Sequence, residues 1–160
     1  TSKIWSVETG GCLQTLSHGN RVNSAIFSSD GRYVVTASDD NTSKIWSVET
    51  GGCLQTLSHG NRVNSAIFSS DGRYVVTASD DNTSKIWSVE TGGCLQTLSH
   101  EDDVVSAVYS PDGRYVVTAS GGKPRIFPFF PLSEILDKWS EILGPNAELT
   151  KEEKARYFLN

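Results

Sequence analysis

Hydrophobic and polar positions follow one order that returns every 41 residues along most of the chain. Within a repeat, four short segments alternate polar and apolar residues or run apolar, as β-strands do, and turn residues separate them. The predicted strands of one repeat are 22–27, 33–38, 43–48 and 53–57. Gly31, Asn41 and Gly51 lie in the turns, where residue types that adopt positive φ are common. The strands and turns leave no stretch of the repeat long enough for a helix, so the repeats are predicted to be all-β.

The repeats are literal copies over most of their length. Residues 1–41 recur letter for letter at 42–82, and a third repeat at 83–123 is identical as far as residue 100 and then diverges. A twisted sheet of four antiparallel strands per repeat buries both of its faces only against neighbouring copies, and a period of roughly 40–45 residues is typical of such a propeller blade. The sequence therefore predicts about three blades over residues 1–127, in an incomplete ring.

The repeats resemble the WD-repeat β-propellers. The matching segments, in the family's order and spacing, are the turn at His18, 22–27, 28–31, 36–40 and 44–46. Two features depart from the family pattern. Ser17 precedes His18 where the family has Gly, and the Asp that gives the family its name is replaced by Ser6, Ser47 and Ser88. Neither departure removes a core side chain, so the resemblance still implies the propeller fold.

The resemblance also implies a hydrogen-bonded network inside each blade, formed by a turn histidine, a strand hydroxyl, a turn aspartate and a strand tryptophan. Carried over by position, the two networks are His18, Thr36, Asp40 and Trp46, then His59, Thr77, Asp81 and Trp87. In the third repeat His100 and Thr118 persist, whereas Gly122 and Phe127 replace the aspartate and the tryptophan. We therefore expect the third blade to be the loosest. No nucleophile or second base recurs beside the histidines, so a structural role is favoured over a catalytic or metal-binding one.

Members of the family commonly bind partners through the face that carries the turn before the first strand and the turn before the third. The resemblance therefore gives these candidate partner-binding residues: Arg21, Asn23, Asp39, Arg62, Asn64, Asp80 and Asp103. The alternative for any one of them is a solvated loop residue. Residues 19–21 and 60–62 are basic loops, while residues 101–103 are acidic. Neighbouring basic loops favour an acidic peptide as the partner.

The pattern breaks after residue 127. Pro128 and Pro131 stop strand pairing. Residues 132–143 place apolar side chains at helical spacing, and Thr150 with Glu153 forms a capping box that opens a second short helix to about residue 159. The domains are therefore predicted as propeller blades at 1–127 and a C-terminal helical extension at 128–160. We expect the extension to pack on the propeller rather than to dock another protein.

Composition and charge exclude several function classes. The net charge of −5 is spread without a long single-sign run, which argues against nucleic acid. No apolar run approaches the roughly 18 residues of a membrane span, and no nucleotide-binding, metalloprotease or hydrolase motif predicts a cofactor or a metal. The three cysteines recur at one repeat position without a nearby partner, so we expect small buried thiols and a reducing, cytoplasmic compartment: Cys12, Cys53 and Cys94.

Three hypotheses for function follow. The first is a non-catalytic scaffold for protein–protein interaction. The alternative is the C-terminal sensor region of a larger signalling enzyme, such as a nucleotide-binding switch, a kinase or a protease, whose catalytic domain lies upstream. A third is an assembly scaffold that self-associates through its blade faces. The chain has no methionine and begins within a repeat, so we expect a C-terminal fragment whose ring is completed by upstream blades or, less favoured, by homo-oligomerisation.

Overall fold

The computed structural model of the chain describes residues 1–129, and these contain strands and turns without a helix. The strands in chain order are β1 Ser2–Trp5, β2 Cys12–Leu16, β3 Val22–Phe27, β4 Tyr33–Ser38, β5 Thr42–Ser47, β6 Cys53–Ser58, β7 Val63–Phe68, β8 Tyr74–Ser79, β9 Thr83–Ser88, β10 Cys94–Ser99, β11 Val104–Tyr109, β12 Tyr115–Ser120 and β13 Lys123–Pro128. The prediction of an all-β fold is confirmed. Over this part of the chain there is no helix long and apolar enough to cross a membrane.

The chain divides into two compact units, Thr1–Phe127 and Pro128–Asn160. The helices predicted at 132–143 and 150–159 lie outside the described residues. Four antiparallel sheets make up the first unit. We call β3–β6 blade 1, β7–β10 blade 2, β11–β13 blade 3, and the two-stranded sheet β1–β2 the half-blade.

The two complete blades are built alike because their sequences are identical. Thr36 pairs with Lys44 in blade 1, and Thr77 pairs with Lys85 in blade 2. The strands predicted at 22–27 and 33–38 have these bounds in the structure, and the third begins one residue earlier than predicted. Asn41 has φ 66° in the turn between β4 and β5. Asparagine tolerates this left-handed backbone better than most residues, which explains its place in the turn.

The core lies between neighbouring blades. Val35, Ala37 and Ile45 of blade 1 form one buried cluster with side chains of blade 2, including Val63 and Phe68. A second cluster joins the half-blade to blade 1 through Ile4, Leu16, Val34 and Trp46. Each blade therefore depends on its neighbours for burial, as expected of a repeat architecture.

The blades at the two ends leave apolar faces exposed. On blade 1 this face carries Val22, Ala25 and Phe27, and we call it the leading face. Phe27 is 53% exposed, whereas the identical residue in blade 2, Phe68, is 7% exposed because blade 1 covers it. The opposite face, on blade 3, carries the exposed side chains Val105, Val108 and Ile126, and we call it the trailing face.

The prediction that the cysteines are buried is wrong, because all three are exposed: Cys12, Cys53 and Cys94. Each begins the outermost strand of its sheet, β2, β6 or β10, where no further strand covers the thiol. The Cys12 Sγ lies 3.5 Å from the Gln14 backbone carbonyl oxygen. The sequence pattern identified the strand but not its place at the edge of the sheet.

Candidate functional site

A hydrogen-bonded chain of four side chains crosses blade 1. The Trp46 indole Nε1–H donates to the Thr36 hydroxyl at 2.8 Å. His18 lies between that hydroxyl, 2.6 Å from its Nε2, and an Asp40 carboxylate oxygen, 2.8 Å from its Nδ1. Because an ionised carboxylate only accepts, Nδ1 carries the proton and the Thr36 hydroxyl donates to Nε2. Both ring nitrogens of the histidine are therefore occupied within the blade.

Blade 2 repeats this arrangement with the same geometry. His59 Nδ1 is 2.8 Å from Asp81, and its Nε2 is 2.7 Å from the Thr77 hydroxyl. The Trp87 indole donates to the same hydroxyl at 2.9 Å. A histidine with both nitrogens engaged has no free lone pair for a metal and no free base for catalysis. The geometry therefore supports the structural role.

Burial and hydrogen bonding set the protonation states of the network. Burial lowers the pKa of His18 and His59 below the ordinary 6.5, although the neighbouring aspartates oppose this. Burial acts to raise the pKa of Asp40, but hydrogen bonds from the Thr42 hydroxyl, the Gly19 N–H and His18 outweigh it and hold that pKa well below 3.8. The folded network therefore combines a neutral imidazole with an ionised carboxylate.

Two further side chains belong to the network and were missed by the sequence analysis. The Ser38 hydroxyl donates to the Arg21 carbonyl oxygen at 2.9 Å and accepts the Asp40 backbone N–H at 3.1 Å. The Thr42 hydroxyl donates to Asp40 at 2.6 Å. The sequence contained a signal for both, because serine two residues before an aspartate and threonine two residues after it are common partners in turns.

Blade 3 lacks this network. The buried His100 nitrogens and the Thr118 hydroxyl have no hydrogen-bond partner within residues 1–129. Phe127 keeps the edge-on ring contact with His100, with ring centroids 5.6 Å apart, but it has no N–H to offer Thr118. At the position of the turn aspartate, Gly122 has no acceptor for the imidazole. The substitutions thus leave two buried polar side chains without partners.

The candidate partner-binding asparagines connect one blade to the next. The Asn23 amide nitrogen donates to Asp39 at 2.7 Å and to the backbone oxygen of Val63, at the start of blade 2, at 2.9 Å. In blade 2, Asn64 likewise donates to Asp80 and to the backbone oxygen of Val104 in blade 3. We refer to these as the asparagine bridges. Their hydrogen bonds give Asn23, Asn64, Asp39 and Asp80 a structural role in addition to any role in binding.

The two candidate arginines differ although their repeats are identical. The Arg62 Nε–H donates to the Asp80 carboxylate. This bond raises the pKa of Arg62, and the nearby carboxylates Asp39 and Asp103 add to the effect. Arg21 has no ion pair with any residue that the structure describes. Asp103 is exposed in the acidic loop. Arg62 and the carboxylates of three blades therefore meet at one end of the molecule.

The first unit consists of successive antiparallel sheets, two of which have four strands. In each of these two sheets an indole, a hydroxyl, an imidazole and a carboxylate form the same hydrogen-bonded chain. These features define β-propeller blades. The WD40 family model, described as WD domain, G-beta repeat, matches residues 10–47, 51–88 and 92–127. The chain belongs to this family. WD40 repeats generally mediate protein–protein interaction and are generally non-catalytic. A search of the curated proteins found no match.

Proposed function

We propose that this chain is a non-catalytic scaffold that binds a protein or peptide partner through the end of the blades that carries Arg21 and Arg62. This end also holds the turn aspartates Asp39 and Asp80 and the acidic loop at residues 101–103. We call it the binding face. The family match supports an interaction role.

The observation that carries the proposal is the contrast between the histidines and the arginines. The histidine nitrogens of both complete blades are consumed by internal hydrogen bonds. Charged side chains of three successive blades, in contrast, lie at the binding face, where Asp39 and Asp103 both act on Arg62. The polar groups offered to solvent there are suited to recognition rather than to catalysis.

The charges favour an acidic segment of the partner beside blade 1. Arg62 is already paired with Asp80, so its charge is compensated within the protein. Arg21 has an exposed side chain and no ion pair among residues 1–129. The acidic loop at 101–103 then repels the same segment and limits it on the side of blade 3.

A charge-reversal pair tests this proposal. We expect Arg21→Glu to weaken the binding of acidic peptides on an array by about tenfold, mostly through slower association that salt also suppresses. Arg62→Glu should have a smaller effect because Asp80 already compensates Arg62. The matched control is Arg32→Glu, an exposed arginine on the turn at the other end of blade 1. Equal losses for the control and for Arg21→Glu would contradict the proposed face.

The acidic loop offers a second test of the same face. Replacing Asp102 and Asp103 with Lys removes the repulsion, so the array should show more accepted peptides at unchanged folding.

The absence of catalysis is tested by changing His18, His59 and His100 to Gln, which should lower stability while leaving no activity to lose. The cytoplasmic location expected from the unpaired cysteines stays a prediction.

A further inference from the structure

A cavity of about 500 Å³ opens at the end of blade 1 that lies opposite the binding face. It is formed by the turn that joins β3 to β4, the turn that joins β5 to β6, and one side chain of β6. Both turns lie at the same end because alternate turns of an antiparallel sheet share an end. Ligand pockets have volumes of roughly 300–1,000 Å³, so this cavity has room for part of a peptide. We call it the turn cavity.

Three apolar side chains line the turn cavity of blade 1. Tyr33 is half-buried and packs against the core cluster shared with blade 2, and Val48 packs against the cluster shared with the half-blade. Leu54 lies on the outermost strand and is 49% exposed. Two of the three are therefore held by the core, while the third offers apolar surface that an apolar side chain of a partner would remove from water.

The turn between β5 and β6 forms the rim of the cavity and is held in place before any partner binds. The Gly51 N–H donates to the Ser47 carbonyl oxygen at 2.9 Å, and the Thr50 N–H donates to the Ser47 hydroxyl at 3.2 Å. From the neighbouring sheet, the Gln14 side-chain amide donates to the Glu49 backbone oxygen at 3.0 Å. A partner would not have to order this rim, which favours binding.

The two charged side chains of the cavity differ in their contacts. The Arg32 guanidinium carbon lies 5.6 Å from the centre of the Tyr33 ring, within the range of a cation–π interaction. Glu49 is exposed, and its carboxylate has no ion pair with any residue that the structure describes. The charge that remains without a partner at the rim is therefore negative.

Blade 2 has the same letters at this end, and the same contrast recurs there. The copies of the charged and apolar lining residues are Arg73, Tyr74, Glu90 and Leu95. The Gln55 amide donates to the Glu90 backbone oxygen at 3.1 Å, as Gln14 does in blade 1. Arg73 Nε lies 3.9 Å from the Asp71 carboxylate, whereas the Glu90 carboxylate has no ion pair within residues 1–129. In both blades the arginine is engaged within its own blade and the glutamate is not.

We propose that the turn cavities of blades 1 and 2 bind an extended segment of a protein partner that carries a lysine or arginine between leucine-like side chains. An apolar side chain of the segment contacts Leu54, and its cation pairs with Glu49. Charge complementarity decides this chemistry, because an acidic segment would meet the unpaired carboxylate as a like charge. WD40 repeats generally mediate protein–protein interaction, which favours a peptide over a small molecule. The two ends of the blades then bind segments of opposite charge.

The first experiment measures the fluorescence anisotropy of a labelled Gly-Leu-Lys-Leu-Gly peptide, blocked at both ends, with the whole chain. Glu49→Lys combined with Glu90→Lys should raise the dissociation constant by about tenfold. Both blades are changed because either cavity alone would still bind. The matched control is Asp102→Lys with Asp103→Lys, which makes the same change of charge at the opposite end and should have a smaller effect. Equal losses would mean unspecific attraction of charge and would overturn the proposal.

The second experiment tests the apolar contact with the same peptide. Leu54→Ser combined with Leu95→Ser should raise the dissociation constant by about tenfold, because the peptide loses apolar contact area. Both leucines are about half exposed, so the chain should still fold, and circular dichroism checks this. Leu54→Ile with Leu95→Ile keeps the apolar surface and should bind nearly as well as the unchanged chain. Equal binding by the serine and isoleucine variants would overturn the contact.

The third experiment is a double-mutant cycle between the peptide and the rim. A peptide with glutamine in place of lysine should bind the unchanged chain about tenfold more weakly, and it should not respond to Glu49→Lys with Glu90→Lys. Additive losses would show that the lysine does not pair with these glutamates and would overturn the proposal. So would a lysine peptide that shows no binding up to about 1 mM. Acidic peptides at Arg21 are measured separately, so this proposal and the proposed function fail independently.

Discussion

The first two strands of blade 2 and of blade 3 have similar sequences, but the turn and the third strand that follow them differ. In blade 2, His59, Thr77, Asp81 and Trp87 form a continuous hydrogen-bonded chain. In blade 3 the histidine and the threonine remain in place, but Gly122 and Phe127 remove the acceptor at one end and the donor at the other. The backbone strands persist in both blades.

The comparison shows that the strands and the network have separate causes. Strand formation in β11 and β12 depends on the apolar pattern that blade 3 shares with the other repeats. The network depends on a few polar side chains, of which all members are needed. When the aspartate and the tryptophan are lost, the remaining histidine and threonine stay buried without hydrogen-bond partners. They then destabilise the blade, instead of forming a weaker network.

The largest expected difference between the blades comes from removing their third-strand aromatic residues. Trp87→Ala should lower the free energy of unfolding by about 3–5 kcal/mol, because it empties a buried site and leaves Thr77 without its donor. Phe127→Ala should cost less, since its blade already lacks the network. Urea unfolding followed by circular dichroism measures both variants, and equal losses would contradict the difference between the blades.

A smaller effect is expected from pH. Burial lowers the pKa of all three histidines, so the unfolded chain binds protons first when the pH falls below the ordinary 6.5. The free energy of unfolding should therefore fall between about pH 7 and pH 5. The pKa values of Asp40 and Asp81 are also lowered, so a further loss begins below 3.8.

Two matched variants sharpen this test. His59→Gln and His100→Gln each remove one group whose pKa is lowered by burial, so each should flatten the pH dependence. At pH 7, however, His59→Gln should cost more stability, because of these two imidazoles only that of His59 has hydrogen-bond partners among the described residues. Identical costs at neutral pH would mean that the blade 2 network does not stabilise the fold.

The smallest expected effect is a gain from partial repair. Phe127→Trp should raise the free energy of unfolding by about 1 kcal/mol, because the Thr118 hydroxyl would gain an indole donor. The ring contact between residue 127 and His100 already resembles the one between Trp46 and His18, with centroid distances of 5.6 and 5.8 Å. Thermal unfolding of this variant, with Phe127→Leu as the control, measures the gain.

Much of the fold could be predicted because its signals are local and repeated. The strand bounds at 22–27 and 33–38 followed from alternation and turn residues, and the repeat period indicated the blades. The exposure of Cys12 could not be predicted in this way, since it depends on whether another strand lies beyond β2. The extra network members Ser38 and Thr42 had a sequence signal in the turn, but only the structure shows both bonds to the Asp40 turn.

Prediction of the candidate site from local sequence has the same limit, because identical residues in identical repeats differ in their contacts. Arg21 and Arg62 stand in identical local sequences, yet only Arg62 pairs with its turn aspartate among the residues described. Phe27 and Phe68 are likewise the same residue in the same strand with opposite burial. For the two phenylalanines the difference comes from the neighbouring blade, which covers Phe68 but not Phe27, and the sequence of a single repeat contains no information about its neighbour.

The asparagine bridges have a consequence for how such an array can lengthen. Asn23 bonds to a backbone oxygen of the following unit, so the joint requires a particular side chain on one partner only. A duplicated unit placed after an existing one is therefore connected at once, before any further mutation, which agrees with the letter-for-letter copies in this chain. Val105, at the same position in blade 3, has no side-chain N–H to donate to a following unit. A further unit placed after one with valine at this position would lack the amide donor, so that joint would depend on other contacts.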